Sequence, residues 1–193
     1  MDPATPDPDP RPIVLVGMRA SGKTSVGRAL AERLGRGWVD LDAELVRWAV
    51  RSGDLRDLRD PESAGDVLAA LDEPRFRELE SEVLRRTLEG SPRLVVSSGG
   101  GVVERADNRA WLRRTAWTVW LDVPAHVLQE RMRADPALRP ALGRGADPVA
   151  EVPGVLARRE SLYRSVSDFV CVARESESIA SVVEGIVTKR NAS

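Results

Sequence analysis

The residues Ile13-Val-Leu-Val16 form a continuous apolar run stopped by Gly17, the pattern of a strand buried on both faces of a parallel sheet. From Lys23 the apolar residues Val26, Ala29, Leu30 and Leu34 recur at helical spacing and end at Gly35. The pattern therefore predicts strand, short glycine loop and helix in succession. The same grammar returns along the chain: Trp38-Val39 with Leu41, Leu94-Val-Val-Ser97, Thr118-Val-Trp-Leu121 and Phe169-Val-Cys-Val172 read as four further strands, with helical patterns between most of them. Such alternation predicts an α/β layered fold with a mainly parallel sheet, whose ligands sit at the carboxyl ends of the strands.

Two stretches interrupt the alternation. Residues 43–90 hold no convincing strand, and the segments 44–50, 64–71 and 76–88 read as helical, a helical excursion that covers one side of the site. Residues 134–153 are rich in Ala, Arg, Gly, Pro and Asp with little periodicity, and at that length they read as a mobile lid. The opening segment alternates Pro with acid and carries neither a basic start nor an apolar run, so residues 1–11 read as a disordered tail and residues 12–193 as a single domain.

Composition narrows the partners. With 29 Lys and Arg against 30 Asp and Glu, no overall basic field exists to hold nucleic acid or an anionic membrane, so any anion must be held locally. The single cysteine, Cys171, excludes an internal disulfide and reads as a small buried apolar residue. No segment approaches membrane-spanning length, and the chain reads as a soluble, cytoplasmic monomer.

The chemistry begins at Gly17-Met-Arg-Ala-Ser-Gly-Lys-Thr24, which fits G-x-x-x-x-G-K-[ST]. In that pattern backbone N–H groups cradle phosphate oxygens, the lysine reaches the β- and γ-phosphates, and the hydroxyl coordinates magnesium. The match runs from a strand into a helix, so the positive helix end also faces the anion. Asp40 and Asp42 stand two apart at a strand end; their side chains point the same way if the strand persists and diverge if it has already turned. Three residues without Cβ, Gly99, Gly100 and Gly101, follow another strand and let a ligand approach the backbone. The sole histidine, His126, lies remote from these motifs and reads as a surface residue.

Several separated motifs occur in the order found in one family. They are the loop with Ser25-Val-Gly-Arg28, Val39-Asp-Leu-Asp42, Phe76-Arg-Glu-Leu-Glu80, Ser98-Gly-Gly-Gly-Val102, Leu138-Arg-Pro140 and Leu162-Tyr-Arg164. From about Ile13 to the last helix the chain resembles shikimate kinase. The resemblance implies a nucleoside-monophosphate-kinase-like three-layer sandwich with a five-stranded parallel sheet, and transfer of a phosphoryl group from ATP to shikimate with Mg2+. It implies a nucleotide site at Gly17, Arg19, Ala20, Ser21, Gly22, Lys23, Thr24 and Ser25, with Arg131 against the adenine and Arg139 closing from the lid. It further implies Asp40 and Thr24 at the metal, Asp42 at the acceptor hydroxyls, Gly99 and Gly100 touching the acceptor, and Arg77 and Arg164 gripping its carboxylate. The chain departs from the family at Ala20, where Gly is common, and in a longer connection between Asp42 and Phe76. A kinase of the same fold for another polyhydroxy acid, and a non-catalytic nucleotide- or metabolite-binding module, are the competing readings.

Overall fold

The structure, a computed structural model, describes residues 9–52, 61–134, 147–172 and 177–192. Its elements in chain order are β1 (Ile13–Val16), α1 (Lys23–Leu34), β2 (Gly37–Asp40), α2 (Leu41–Ser52), α3 (Ala64–Ala70), α4 (Glu73–Gly90), β3 (Leu94–Ser97), α5 (Ala106–Thr115), β4 (Trp117–Asp122), α6 (Ala125–Ala134), α7 (Val152–Val166), β5 (Phe169–Val172) and α8 (Ile179–Asn191). The strands form one sheet in the order β2-β3-β1-β4-β5, with every neighbouring pair parallel. A parallel pair needs a crossover over one face of the sheet, so helices cover both faces and the strands must be apolar on both sides.

The alternation of side chains sorts the core into two layers. Ile13, Leu15, Val95, Trp117 and Val119 pack with Val26 and Leu30 of α1 and with Val183 and Ile186 of α8. Val14, Val16, Val96 and Trp120 face the other way, against Leu45 of α2, Leu79 and Leu84 of α4, Leu128 of α6 and Tyr163 of α7. The result is a three-layer sandwich. From β1 the chain crosses to β2 on one side of the sheet, and from β3 it crosses past β1 to β4 on the other. The connections leave β1 and β3 in opposite directions, which opens a crevice at their carboxyl ends.

Local chemistry sets several boundaries away from the sequence expectation. Leu41, expected to extend the second strand, already belongs to α2 because the Asp40 carboxylate accepts the N–H groups of Asp42 at 3.0 Å and Ala43 at 3.4 Å and caps the helix there. The chain has thus turned between Asp40 and Asp42. Helix α4 starts earlier than expected, with Pro74 in its first turn and the Asp72 carboxylate accepting from Arg75 N at 2.8 Å. The expected N-terminal disorder does not reach Asp9 to Arg11. The carbonyl oxygens of Asp9 and Arg11 accept from the guanidinium groups of Arg36 and Arg190, which tie this segment to the end of α1 and to α8. Among the described residues no helix is long and apolar enough to cross a membrane.

Helix α1 lies close to the sheet because Gly27 has no side chain. A Cβ there would meet Ser97 Oγ and come within 3.0 Å of Trp38 Nε1. Ser97 is fixed, donating to Lys23 O at 2.9 Å and accepting from Trp38 Nε1 at 3.2 Å. Alanine is the better helix former, yet the collision outweighs that gain, and Gly27→Ala should destabilise the fold by about 1–2 kcal/mol in chemical denaturation.

Candidate active site

At the end of β1 the chain enters the glycine loop with Gly17 at φ 146°, Ala20 at φ 62° and Gly22 at φ 91°. A Cβ on Gly17 would lie 2.8 Å from Leu121 O, so that position admits only glycine without displacement of β4. Ala20 is the only non-glycine residue with positive φ among the described residues, and its Cβ makes the left-handed turn unfavourable relative to glycine. Gly22 then caps α1 without any side-chain hydrogen bond, which leaves the first-turn amides of the helix for an anion.

The Lys23 ammonium is folded into this loop. It donates to the carbonyl oxygens of Gly17 at 3.0 Å and Met18 at 2.7 Å and to Ser21 Oγ at 3.4 Å. Burial draws its pKa down to about 8, while the negative charges of Asp42 and Asp40 pull in the opposite direction. Thr24 Oγ1 donates to Asp40 Oδ2 at 2.8 Å, so one hydroxyl and one carboxylate stand side by side at the rim of the loop. These hard oxygen donors suit a magnesium ion that takes few protein ligands and shares its shell with phosphate and water. Among the described residues no group of three or more His, Cys, Asp or Glu could hold a metal alone.

A cavity of about 500 Å³ extends from the loop across the crevice, with Lys23, Asp42, Arg77, Glu80, Gly100 and Arg159 in its walls. Asp42 lies at the start of α2, and the surrounding protein raises its carboxyl pKa by desolvation, against the attraction of Lys23. Burial likewise raises that of Glu80, whose carboxylate accepts from Arg77 Nη1 at 3.0 Å. Two of the three glycines serve the protein's own charges. A Cβ on Gly99 would lie 2.7 Å from Glu80 Oε1 and 2.8 Å from Asp42 Oδ1, and one on Gly101 would strike the Arg77 guanidinium. Gly100 alone leaves room, at 3.5 Å from the nearest atoms, and its carbonyl is pinned by Tyr163 Oη at 2.6 Å. Burial pushes the Tyr163 hydroxyl up to about 12, so it stays a neutral donor.

Most of the residues singled out in the sequence meet at this cavity: Arg19, Ala20, Gly22, Lys23, Thr24, Ser25, Asp40, Asp42, Arg77, Gly99, Gly100 and Arg131. Arg131 also donates to Ala20 O at 3.2 Å and borders a second cavity of about 260 Å³, walled by Val26, Leu121, Ile179 and Val182. Arg139 and residues 135–146 of the expected lid lie outside the described residues. Arg164 requires a correction. It is not in the cavity wall; its side chain is 59% exposed, 3.4 Å from Glu160 and stacked over Trp120 at 5.2 Å. On α7 the inward positions are Val152, Arg159, Tyr163 and Val166, and Arg164 stands a further 100° round the helix. Arg159 takes the place expected of Arg164 in the cavity wall. Its signal in the sequence is a charged residue four positions before Tyr163, on the apolar stripe of α7. Glu80, inside a motif noted above, is a further charged cavity residue that the sequence reading left without a part.

The strand, glycine loop, lysine and helix, set in a parallel sheet of this order with a polar cavity at its switch point, define a small-molecule kinase of the P-loop class. The shikimate kinase family profile matches residues 19–190. The shikimate kinase of Symbiobacterium thermophilum is 38% identical over 177 residues, 92% of this chain and 94% of that protein. That of Oleidesulfovibrio alaskensis is 43% identical over 160 residues, 82% of this chain and 86% of that protein. The solved structure of shikimate kinase from Acinetobacter baumannii in complex with shikimate matches with a TM-score of 0.76 at 28% identity, over 94% of this chain and 93% of that one. The chain belongs to the shikimate kinase family.

The buried ammonium makes stability depend on pH. Between about 8 and 10.5 the unfolded chain keeps a proton on Lys23 that the folded chain has released, so folding becomes more favourable as pH rises through that window. Relative to Lys23→Met, the wild-type chain should gain up to about 3 kcal/mol between about pH 7 and pH 10, as read by chemical denaturation of both proteins.

Proposed function

We propose that this protein transfers the γ-phosphoryl group of ATP to the 3-hydroxyl of shikimate, with Mg2+, and so serves chorismate and aromatic amino acid biosynthesis. The observation that carries the reading is one cavity shared by a phosphate loop, an acid at a helix start and, at the far end, Arg77 and Arg159. Its contents match the two substrates in charge. The loop amides and Lys23 suit polyphosphate, and a pair of guanidinium forks suits a carboxylate.

In this reading Lys23 and the first-turn amides of α1 hold the β- and γ-phosphates and neutralise charge as it shifts during transfer. Thr24 and Asp40 hold the magnesium ion, which when bound offsets phosphate charge. The nucleobase enters the smaller cavity beside Arg131 and Ile179. Asp42 accepts a hydrogen bond from the attacking hydroxyl and takes its proton, a task its raised pKa favours. Arg77 and Arg159 bind the acceptor's carboxylate at the far end of the cavity, while Tyr163 keeps the Gly100 backbone in place for the acceptor. Arg139 keeps the part implied by resemblance, a cation brought to the transferring group.

A coupled assay with ATP, magnesium and shikimate tests the reaction directly, and no turnover would overturn the acceptor. Lys23→Ala should abolish turnover while the circular dichroism spectrum stays native. Arg77→Ala and Arg159→Ala should each raise KM for shikimate by about 30-fold or more, with little effect on KM for ATP. Arg164→Ala should leave both KM values near wild type. A large rise in the shikimate KM of Arg164→Ala alone would reverse the assignment between the two arginines of α7.

A further inference from the structure

Glu104 lies in the turn between Gly101 and α5, where its amide donates to Gly101 O at 2.9 Å. Its carboxylate bridges the two cavity arginines. Oε1 accepts from Arg159 Nε at 2.8 Å and pairs with Nη2 at 2.6 Å, while Oε2 lies 3.1 Å from Arg77 Nη2. One oxygen to each guanidinium is also the arrangement a ligand carboxylate would need. Arg77 and Arg159 line the cavity and Glu104 does not, so the donor edges that meet Glu104 are engaged by the protein itself before an acceptor enters. The other donors of Arg77 are committed or enclosed: Nη1 pairs with Glu80 at 3.0 Å, and Nε is buried without a hydrogen-bond partner.

Charge leads to the same conclusion. Two guanidinium groups face the carboxylates of Glu80 and Glu104, with the exposed Glu73 also 3.6 Å from Arg77 Nη2, so the cluster carries at least as much negative as positive charge before any ligand arrives. A ligand carboxylate would add an uncompensated charge in a largely buried place, which is strongly unfavourable. One resident acid must then yield. Glu80, on the buried side of α4, is 5% exposed, whereas the Glu104 side chain is 34% exposed. Of these two closely held acids, Glu104 is the one with water at hand to replace its partners, and Glu73, at 3.6 Å and 68% exposed, is already largely solvated.

We propose that Glu104 is a resident competitor for the acceptor's carboxylate: it holds Arg77 and Arg159 until a carboxylate-bearing acceptor displaces it. This rests on the acceptor assignment made above. Displacement lowers the apparent affinity by the fraction of molecules in which Glu104 is released. It also discriminates, because a neutral polyol has no group able to take over both guanidinium forks.

The test compares wild type with Glu104→Gln and Glu104→Ala in steady-state kinetics with shikimate and ATP, and in thermal melts with and without shikimate. Both variants should lower KM for shikimate by about three- to tenfold and leave KM for ATP in place. Shikimate should raise the Tm of each variant more than that of wild type. Glutamine keeps the shape of the side chain, so Glu104→Gln carries the test if Glu104→Ala does not fold. An unchanged or raised shikimate KM in Glu104→Gln would overturn the inference and make Glu104 a support for the arginines. Failure of the wild-type enzyme to phosphorylate shikimate would instead overturn the acceptor assignment, and this inference with it.

Discussion

A single buried ammonium group organises this molecule. Lys23 is enclosed at the start of α1, and a charge so placed is tolerable only with dipoles and opposite charges converging on it. The convergence explains much of the surrounding architecture. The loop must curl so that the Gly17 and Met18 carbonyls face inward, which requires the left-handed backbone at Ala20 and Gly22. Asp40 and Asp42 must arrive from β2 and α2 to supply negative charge. The carbonyl of Lys23 itself accepts from Ser97 at the end of β3, so the same residue locks loop to sheet. Gly27, one turn further along α1, allows the approach that makes this bond possible.

The far end of the cavity obeys the same rule. Glu80, Arg77, Glu104 and Arg159 form a chain of neighbours of alternating charge, and removal of Arg77 would leave the Glu80 carboxylate without that partner in a place poor in water. The glycines after β3 are the steric condition for this chain. Any side chain on Gly99 or Gly101 would occupy the space where Asp42, Glu80 and Arg77 meet. Three consecutive glycines therefore mark a site where charged groups press on the main chain, as much as one where a ligand does.

Local signals were legible in the sequence and phase-dependent ones were not. The five strands and the glycine loop are written in contiguous residues, apolar runs and a spaced Gly-Lys-Thr, and they appear where the pattern puts them. Leu41 misled because a buried leucine looks alike at the end of a strand or the start of a helix, and the capping by Asp40 decides between them. Choosing Arg159 over Arg164 requires the phase of α7, which is set by burial of Val152, Tyr163 and Val166 against a sheet distant in sequence. Glu104 was illegible for a similar reason, since both of its partners lie on helices far along the chain. The clasp on Asp9 and Arg11 depends on Arg190, at the opposite end of the chain.

The unliganded loop is held in a conformation that is locally unfavourable in two respects, a desolvated ammonium and an alanine in the left-handed region. Neither would persist in an isolated peptide; the sheet, α1 and the Arg131 contact to Ala20 O together hold them. The two differ in what a polyphosphate would change. An anion against Lys23 replaces the stabilisation by water that burial removes, and the ammonium becomes favourable in its place. The backbone at Ala20 gains no such relief, because its strain is steric and unaffected by charge. Strain at Ala20 is therefore a standing cost of the loop's shape, whereas the cost of the charged Lys23 is relieved when an anion binds. The second kind favours the nucleotide-bound form, because the donors are oriented and partly dehydrated before the ligand arrives.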